Sequence, residues 1–165
     1  MKCLCFSDSH GKANNIRRAL NKHPNAEVIF FLGDGLSDIE NFLYDRSRAW
    51  FVVRGNCDYS PFVADRITKK TDVITLMSKK IIITHGDLYS VKSGIDEISK
   101  LAEREIADIV LFGHTHFPLE KYISTDNGGY YLFNPGSIGV PYRTKSTYGV
   151  IDIVEAGVSF SHIEL

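Results

Sequence analysis

The sequence contains few cysteines and no long hydrophobic run. Its 165 residues include Cys3, Cys5 and Cys57, an odd number without the spacing of a zinc ribbon or of a disulfide framework. We therefore expect a reducing compartment. The longest apolar runs, such as Val28 to Leu32, are strand-sized and much shorter than a membrane span. The first apolar run ends at Ser7 and is too short for a signal-peptide core, so the sequence predicts a soluble cytoplasmic protein.

An excess of charge of either sign is also absent. The chain has 19 basic and 20 acidic side chains and a formal net charge of -1, which argues against a surface built to bind nucleic acid or anionic membrane. With 44% hydrophobic residues the chain is not disordered. Its length suits one domain, and it contains no linker, repeat or break in composition. We therefore predict a single domain over residues 1–165.

Short runs rich in Val, Ile, Phe and Tyr recur along the chain and predict buried strands. Helical patterns lie between the early strands, at 13–21, after Ser37 and at 95–106. Ser37 with Glu40, and Ser93 with Asp96, have the spacing of capping boxes. The strand-like runs are residues 2–6, 28–32, 50–53, 80–83, 109–112, 130–133, 148–154 and 158–163.

The last two runs are separated by Glu155-Ala156-Gly157, which predicts a hairpin. We expect the later part of the chain to be antiparallel. Strands that alternate with helices and are followed by a series of strands are typical of a layered α/β protein, with one or two sheets and helices outside them.

Polar side chains or tight turns follow six of the predicted strands. In α/β sheets the loops beyond the carboxyl ends of strands converge on one crevice, so these residues can meet although they are far apart in sequence. Four of the six histidines lie in these segments. The segments are Asp8-Ser9-His10, Gly33-Asp34, Arg54-Gly55-Asn56-Cys57-Asp58, Thr84-His85-Gly86, Gly113-His114-Thr115-His116 and Asn134-Pro135-Gly136-Ser137.

Asp and Asn oxygens combined with imidazole nitrogens suit divalent Mn, Fe, Ni, Co or Zn. Seven candidate ligands exceed the needs of one ion but suit two ions that share a carboxylate. His114 and His116, like Asp8 and His10, are two residues apart and so point to one side of an extended segment. The seven candidates are Asp8, His10, Asp34, Asn56, His85, His114 and His116.

In this order, Asp-x-His, Gly-Asp, Gly-Asn-x-Asp, a His before Gly, and Gly-His-x-His resemble the motifs of the calcineurin-like metallophosphoesterases. The resemblance covers nearly the whole chain. The small size, the Gly-Asn-Cys-Asp segment at 55–58 and the Asn-Pro-Gly-Ser turn at 134 are most similar to the YfcE-type phosphodiesterase branch.

The resemblance implies an α/β fold, a four-layer αββα sandwich of two mixed sheets flanked by helices. It also implies two metal ions, with Mn preferred over Ni, Zn, Fe or Co. A hydroxide between the ions would attack phosphorus in line. One ion would take Asp8, His10, Asp34 and His116, and the other would take Asp34, Asn56, His85 and His114.

Cys57 stands where many superfamily phosphatases have a His that resembles a general acid. A thiol has no cationic form, so we predict either a preference for diesters with good leaving groups or a proton supplied by the substrate. Packing as a small buried residue is an equal alternative. Asp58 is predicted to orient its neighbours in the site. We name Cys57 and Asp58 as candidate catalytic residues. Asp87 is expected either to hydrogen-bond a ligand imidazole or to cap a turn.

Other polar residues have simpler interpretations. His23 and His162 are predicted to be structural or on the surface, and Asp38 to be a carboxylate in the first turn of a helix. Lys69-Lys70 and Lys79-Lys80 are interpreted as solvated charges at a sheet edge. Arg143 and Lys145 suit either a contact to substrate phosphate or a mobile surface loop.

The leading prediction is a phosphodiesterase for a small phosphate ester, with no membrane or nucleic-acid partner and with a homo-oligomer left open. The eukaryotic retromer subunit resembles the same branch and is an interaction module, so a protein-interaction scaffold is the competing class. A nucleotide phosphatase or nuclease is a third candidate, less favoured because the short chain leaves no room for an added cap or nucleic-acid domain.

Overall fold

The computed structural model describes residues 1–59, 69–126 and 128–165. Within these ranges, ten strands form two five-stranded sheets. The strands are β1 (Lys2–Phe6), β2 (Val28–Phe31), β3 (Ala49–Val52), β4 (Thr71–Leu76), β5 (Lys79–Thr84), β6 (Ile109–Leu111), β7 (Pro118–Thr125), β8 (Gly128–Pro135), β9 (Thr147–Val154) and β10 (Gly157–Glu164).

Three α-helices occur in the described ranges: α1 (Ala13–Lys22), α2 (Leu36–Ile39) and α3 (Asp96–Glu105). Single turns of 3-10 helix cover Glu40–Phe42 and Asp87–Tyr89. None of these helices has the length and apolar character needed to cross a membrane.

Both sheets are mixed. In the first, with the order β10-β9-β1-β2-β3, the strands β1, β2 and β3 are parallel, and β9 is antiparallel both to β1 and to its hairpin partner β10. In the second, with the order β4-β5-β6-β8-β7, the strands β5, β6 and β8 are parallel and the edge strands are antiparallel. Each sheet thus has three adjacent parallel strands whose carboxyl ends lie at the same end of the sheet.

The core has three apolar clusters that define four layers. The first lies between the sheets, where Cys5 and Phe30 of one sheet and Ile83 and Leu111 of the other are buried together. A second cluster packs α1 and α2 on the outer face of the first sheet, and a third packs α3 on the outer face of the second. Because the central strands are buried on both faces, their sequences are continuously apolar rather than alternating. The predicted αββα sandwich is confirmed.

Both predicted capping boxes are wrong. Helix α2 begins at Leu36, before Ser37, and neither α2 nor α3 has a side-chain hydrogen bond at its N-cap, which is Gly35 in α2 and Ile95 in α3. The predicted stripe of α3 also extended too far. Ile106 is a left-handed C-cap residue with 83% exposure, so it lies outside the buried face.

The antiparallel prediction for the later chain holds for the β9–β10 hairpin and only in part elsewhere. Strand β8 is antiparallel to β7 but parallel to β6. Strand β7 has no counterpart among the predicted strands. It is an edge strand in which four of eight residues are exposed and none is buried, so it lacks the apolar run by which eight of the other strands were found.

Candidate metal centre

All seven predicted ligands lie at the shared edge of the two sheets. Three loops leave the first sheet, and the other two leave the second sheet. The loop after β1 carries Asp8 and His10, the loop after β2 carries Asp34, the loop after β3 carries Asn56, the loop after β5 carries His85, and the loop after β6 carries His114 and His116.

Five of these seven residues have a left-handed backbone: φ is 55° at Asp8, 43° at His10, 58° at Asp34, 67° at His114 and 59° at His116. This region is costly for residues with a side chain, and such strain concentrates at functional sites where surrounding contacts hold it. Here the contacts are between the loops. The amide of Asp8 donates to Gly33 O at 3.0 Å, and that of His10 donates to Asp34 O at 3.2 Å.

Asp8, His10 and His116 form what we call the outer group, in which one donor atom from each side chain lies within 4.8 Å of the others. His116 Nε2 is 3.0 Å from Asp8 Oδ1 and 3.3 Å from His10 Nε2. His116 Nδ1 donates to the carbonyl of Val140, so in the neutral ring Nε2 carries a lone pair. Asp8 Oδ1 is buried and has no hydrogen-bond partner among the described residues.

Asp34, His85 and His114 form the inner group, with the same close spacing of donor atoms. His85 Nδ1 donates to Leu32 O at 2.8 Å, which leaves a lone pair on Nε2. That atom lies 3.4 Å from Asp34 Oδ2 and 3.1 Å from His114 Nδ1.

Asn56 Oδ1 is also 3.1 Å from His85 Nε2. The two groups adjoin, since Asp34 Oδ2 is 3.9 Å from His10 Nε2 of the outer group. Oxygen and nitrogen atoms that can bind a metal thus lie close together, and among the described residues Asp8 Oδ1 has no hydrogen-bond donor. A bound cation would compensate the charge of this buried oxygen. The donor set suits borderline divalent metals.

The electrostatics of the inner group favour a charged pair. Burial opposes charge on Asp34, but contacts with His85 and the hydrogen bond from Cys57 outweigh it and hold the pKa of Asp34 well below its usual range. Burial also opposes charge on His85, and the carboxylates of Asp34 and Asp8 outweigh it, so that the pKa of His85 is raised. Burial, followed by repulsion from His85, lowers the pKa of His114.

In the outer group the balance is simpler. The contact with Asp8 raises the pKa of His116 against a smaller opposing effect of burial. Protons and metal ions compete for these same lone pairs, because a metal ligand must be deprotonated.

Asp58 holds two of the loops together. Its buried carboxylate accepts hydrogen bonds from the amides of Asp34 and Gly55 at Oδ2, each at 2.8 Å, and from Gly35 and Leu36 at Oδ1, at 2.8 and 2.9 Å. It therefore positions the backbone of Asp34, and within residues 1–59, 69–126 and 128–165 all four of its hydrogen bonds come from backbone amides. Its role in the reaction stays a prediction.

Cys57 is exposed, so the alternative of a buried packing residue is wrong. Its amide donates to Asp34 Oδ1 at 2.7 Å. Burial of part of the thiol and the neighbouring carboxylate of Asp34 raise the pKa of Cys57 to about 11. The side chain is thus a neutral thiol near pH 7.

Residues that the sequence did not assign to the site support its loops. Asp38 lies in the first turn of α2, as predicted, and Oδ2 also accepts hydrogen bonds from Ser9 Oγ at 2.6 Å and from the Gly11 amide at 2.8 Å. Ser7 Oγ donates to Asp8 Oδ2, and Ser137 Oγ donates to Asp8 O at 2.7 Å. The Asn-Pro-Gly-Ser turn was the available signal for Ser137.

At two positions of the motifs, there is no room for any side chain larger than that of glycine. A Cβ atom on Gly55 would collide with the carboxylate of Asp34, and one on Gly113 would collide with Ser7 Oγ and Asp8 Oδ2. The glycine that precedes a ligand in these motifs therefore leaves room for a carboxylate from another loop.

Several other predicted residues have structural partners. Asp87 forms an ion pair with Lys70 at 2.9 Å and is the first residue of a 3-10 turn. The predicted hydrogen bond from Asp87 to a ligand imidazole is not found among the described residues. His23 Nε2 is 2.9 Å from Tyr148 Oη, and His162 stacks on Phe133. Both histidines are structural, as predicted.

The basic residues considered above are mostly paired. Lys69 pairs with Asp72, Lys79 with Asp108 and Lys80 with Glu105, so the predicted edge charges are ion pairs with acidic neighbours. Lys145 pairs with Glu164 at 2.7 Å, and the guanidinium of Arg143 lies over the ring of Tyr142.

A sequence profile of the calcineurin-like phosphoesterase superfamily domain matches residues 1–156. The chain is also 30% identical over 154 residues to the probable metallophosphoesterase YsnB of Bacillus subtilis, covering 93% of this chain and 85% of that protein. The chain therefore belongs to the calcineurin-like phosphoesterase superfamily.

Solved structures share the fold. A predicted phosphoesterase from Streptococcus pneumoniae has a TM-score of 0.81 and 25% identity, over 99% of this chain and 88% of that one. A novel archaeal phosphodiesterase has a TM-score of 0.74 and 22% identity over the full length of both chains. Vps29 of Entamoeba histolytica complexed with zinc has a TM-score of 0.70 and 20% identity, over 99% and 98%.

Proposed function

We propose that this protein is a metal-dependent phosphodiesterase whose seven candidate ligands hold two divalent ions. The outer group with Asp34 would bind one ion, and the inner group with Asn56 would bind the other, with Asp34 shared. The observation that carries the proposal is the convergence of carboxylate oxygens and imidazole nitrogens in two adjoining groups. Among the described residues, Asp8 Oδ1 is buried without a hydrogen-bond donor, and His85 Nε2 lies 3.1 Å from both Asn56 Oδ1 and His114 Nδ1 and 3.4 Å from Asp34 Oδ2.

Two bound divalent ions supply hydroxide by lowering the pKa of water, and they neutralise phosphate oxygens. The protein's own residues provide the geometry for this chemistry. Leu32 and Val140 carbonyls fix the tautomers of His85 and His116, while Asp58 fixes the position of Asp34. The mixed oxygen and nitrogen donors are compatible with Mn as the first candidate, and with Ni, Zn, Fe or Co.

Cys57 supports the choice of diesters with good leaving groups over alkyl monoesters. The thiol has a pKa of about 11 and lies beside Asp34, so near neutral pH it provides no positive charge to a departing oxygen. An aryl or otherwise acidic leaving group departs without such help.

Likeness to Vps29 does not favour the scaffold over the enzyme, because an identity of 20% shows the fold alone. The Vps29 structure with zinc also means that metal occupancy by itself does not separate the two functions. Turnover is the measurement that separates them.

The test is to strip the protein of metal, reload it with Mn, Ni, Zn, Fe or Co, and assay bis(p-nitrophenyl) phosphate, p-nitrophenyl phosphate and cyclic nucleotides. Metal content is measured in parallel. We expect the aryl diester to be hydrolysed fastest, and Asp34→Asn to lower the rate by at least about a hundredfold.

Asp152→Asn is the matched control, since Asp152 is an exposed carboxylate on the same sheet that pairs with Lys2. It should keep full activity. Absence of activity with every metal, or full activity in Asp34→Asn, would contradict the proposed function. Full metal occupancy without turnover would support the scaffold instead.

A further inference from the structure

A groove adjoins the candidate metal centre on the side of His114 and His116. Its volume is about 540 Å³, within the range of small-molecule sites. Two aromatic side chains on its wall are about half exposed, Phe117 at 52% and Tyr142 at 55%. The guanidinium of Arg143 lies over one face of the Tyr142 ring, which leaves the other face for a ligand. The groove is lined by Val91, Lys92, His114, Thr115, His116, Phe117 and Tyr142.

The loops that hold the candidate ligands also anchor the backbone of both aromatic residues. The amide of Phe117 donates to Thr115 Oγ1 at 3.2 Å, and Asn134 Nδ2 donates to the same oxygen at 3.1 Å. The amide of Tyr142 donates to the carbonyl of His116 at 3.3 Å. The rings are therefore attached to backbone that is already ordered, which lowers the entropy lost when a ligand binds.

Lys92 supplies a positive charge at the same place. It follows the buried Val91 in a turn that the Ser93 amide closes onto Ser90 O at 2.8 Å. Lys92 is exposed and has no salt bridge to any residue in the described parts of the chain. Lys92 lines the groove together with His114 and His116, which places a positively charged side chain beside the candidate metal centre.

We propose that this groove is a substrate subsite that binds a flat aromatic ring of the alcohol esterified to the phosphate, with Phe117 and Tyr142 contacting the ring and Lys92 facing the phosphate. This inference rests on the proposed function. A flat aromatic ring should bind the rings of Phe117 and Tyr142 more tightly than an apolar chain does. Stacked or edge-on contacts between aromatic rings contribute binding free energy beyond that from the buried apolar area. An ammonium group beside the metal centre selects the anionic end of the same molecule.

The ring has two chemical sources, an aryl alcohol or a nucleoside. The experiment measures binding to the manganese-loaded, full-length protein by calorimetry, so that it does not depend on turnover. One pair of probes is phenylphosphonate and methylphosphonate, and the other is adenosine 5′-monophosphate and ribose 5-phosphate. We expect the ring-bearing member of at least one pair to bind about tenfold more tightly.

Variants assign that preference to named side chains. Phe117→Ala and Tyr142→Ala should each reduce the preference to about threefold or less, while Tyr142→Phe keeps the ring and the preference. Lys92→Gln should weaken both members of a pair by the same factor, about threefold to tenfold, and Lys92→Arg should restore binding. Lys121→Gln, on the exposed strand β7, is the control for loss of a surface charge.

Equal binding of both members of both pairs in the unmodified protein would overturn the inference, even if no variant folds. An unchanged preference in both alanine variants would also overturn it. A ring preference in the nucleotide pair identifies a nucleoside, and one restricted to the phosphonates identifies an aryl ester; both results support the subsite. If none of the four probes binds to the metal-loaded protein, the phosphate site of the proposed function fails instead.

Discussion

The outer and inner groups contain the same residue types but differ in burial. The side chain of His10 in the outer group is 26% exposed, whereas that of His85 in the inner group is fully buried. The inner group is therefore part of the packed interior, and the protein holds its donors in place before any ion binds. The outer group borders solvent and is open to a substrate. The same types of side chain thus contribute to the packed interior in the inner group and are accessible to solvent in the outer group.

The largest effects are expected for alanine variants of one histidine in each group, and these variants should differ in stability. Both His85→Ala and His10→Ala remove a proposed ligand and should lower diesterase activity by at least about a hundredfold. Without metal, His85→Ala should cost about 2 kcal/mol of unfolding free energy, because it leaves a buried cavity and an unpaired Leu32 carbonyl. His10→Ala should change the same quantity by less than about 0.5 kcal/mol.

Urea unfolding of the metal-free variants and a metal analysis of the reloaded ones provide these measurements. Equal loss of stability in the two variants would mean that burial does not distinguish the groups. Retention of both ions in either variant would remove that histidine from the proposed ligand set.

The next effect concerns the support of the inner group. Asp58→Asn keeps the shape of the side chain but replaces one acceptor oxygen by an amide, so two of its four backbone donors lose their partner. We expect a loss of about 3 kcal/mol in unfolding free energy and a weaker hold on Asp34. Thermal unfolding measures the first effect and metal affinity the second. Unchanged stability would contradict the conclusion that the hydrogen bonds of Asp58 hold the two loops together.

The support of the outer group should be weaker. Asp38 accepts two hydrogen bonds through one oxygen, from Ser9 and Gly11, and it is half-buried. Asp38→Ala should cost about 1 kcal/mol, and Asp38→Asn should cost less because an amide oxygen can accept both bonds. Denaturant titration of the two variants is the test, and a cost for Asp38→Asn equal to that of the alanine would show that charge matters more than the bonds.

The smallest effect on stability is expected at Cys57, where the side chain is exposed. Cys57→Ser should change unfolding free energy by less than about 0.5 kcal/mol. Cys57→His should raise activity on an alkyl ester relative to an aryl ester, since an imidazole can become cationic and donate a proton. Steady-state rates on both esters measure this ratio. If the ratio of the two rates did not change, residue 57 would have no role in the departure of the leaving group.

The layered fold and the candidate ligands could be predicted because both depend on local patterns. A strand buried on two faces must be apolar, and the polar residue after it marks the sheet edge where loops meet. The capping boxes failed for the opposite reason. Ser37 had suitable spacing, but the helix starts at Leu36, where the amides of Gly35 and Leu36 are bound by Asp58 from another loop.

Strand β7 and Lys92 were missed for related reasons. An exposed edge strand needs no apolar alternation on the solvent side, so Pro118–Thr125 carries a weak signal. Lys92 lies between a buried valine and a turn, and nothing in its neighbourhood in sequence indicates that the groove by His114 and His116 is close.

The sequence alone determined the residue types available to a metal centre, their order along the chain, and the strands that deliver them to one sheet edge, because strand period and loop composition are local properties. Tertiary structure decided which donors face one another, which imidazole nitrogen carries the lone pair, and that Asp38 and Asp58 support loops distant in sequence. Those outcomes depend on the packing of two sheets and on hydrogen bonds between loops, and no local pattern specifies the partner of a side chain.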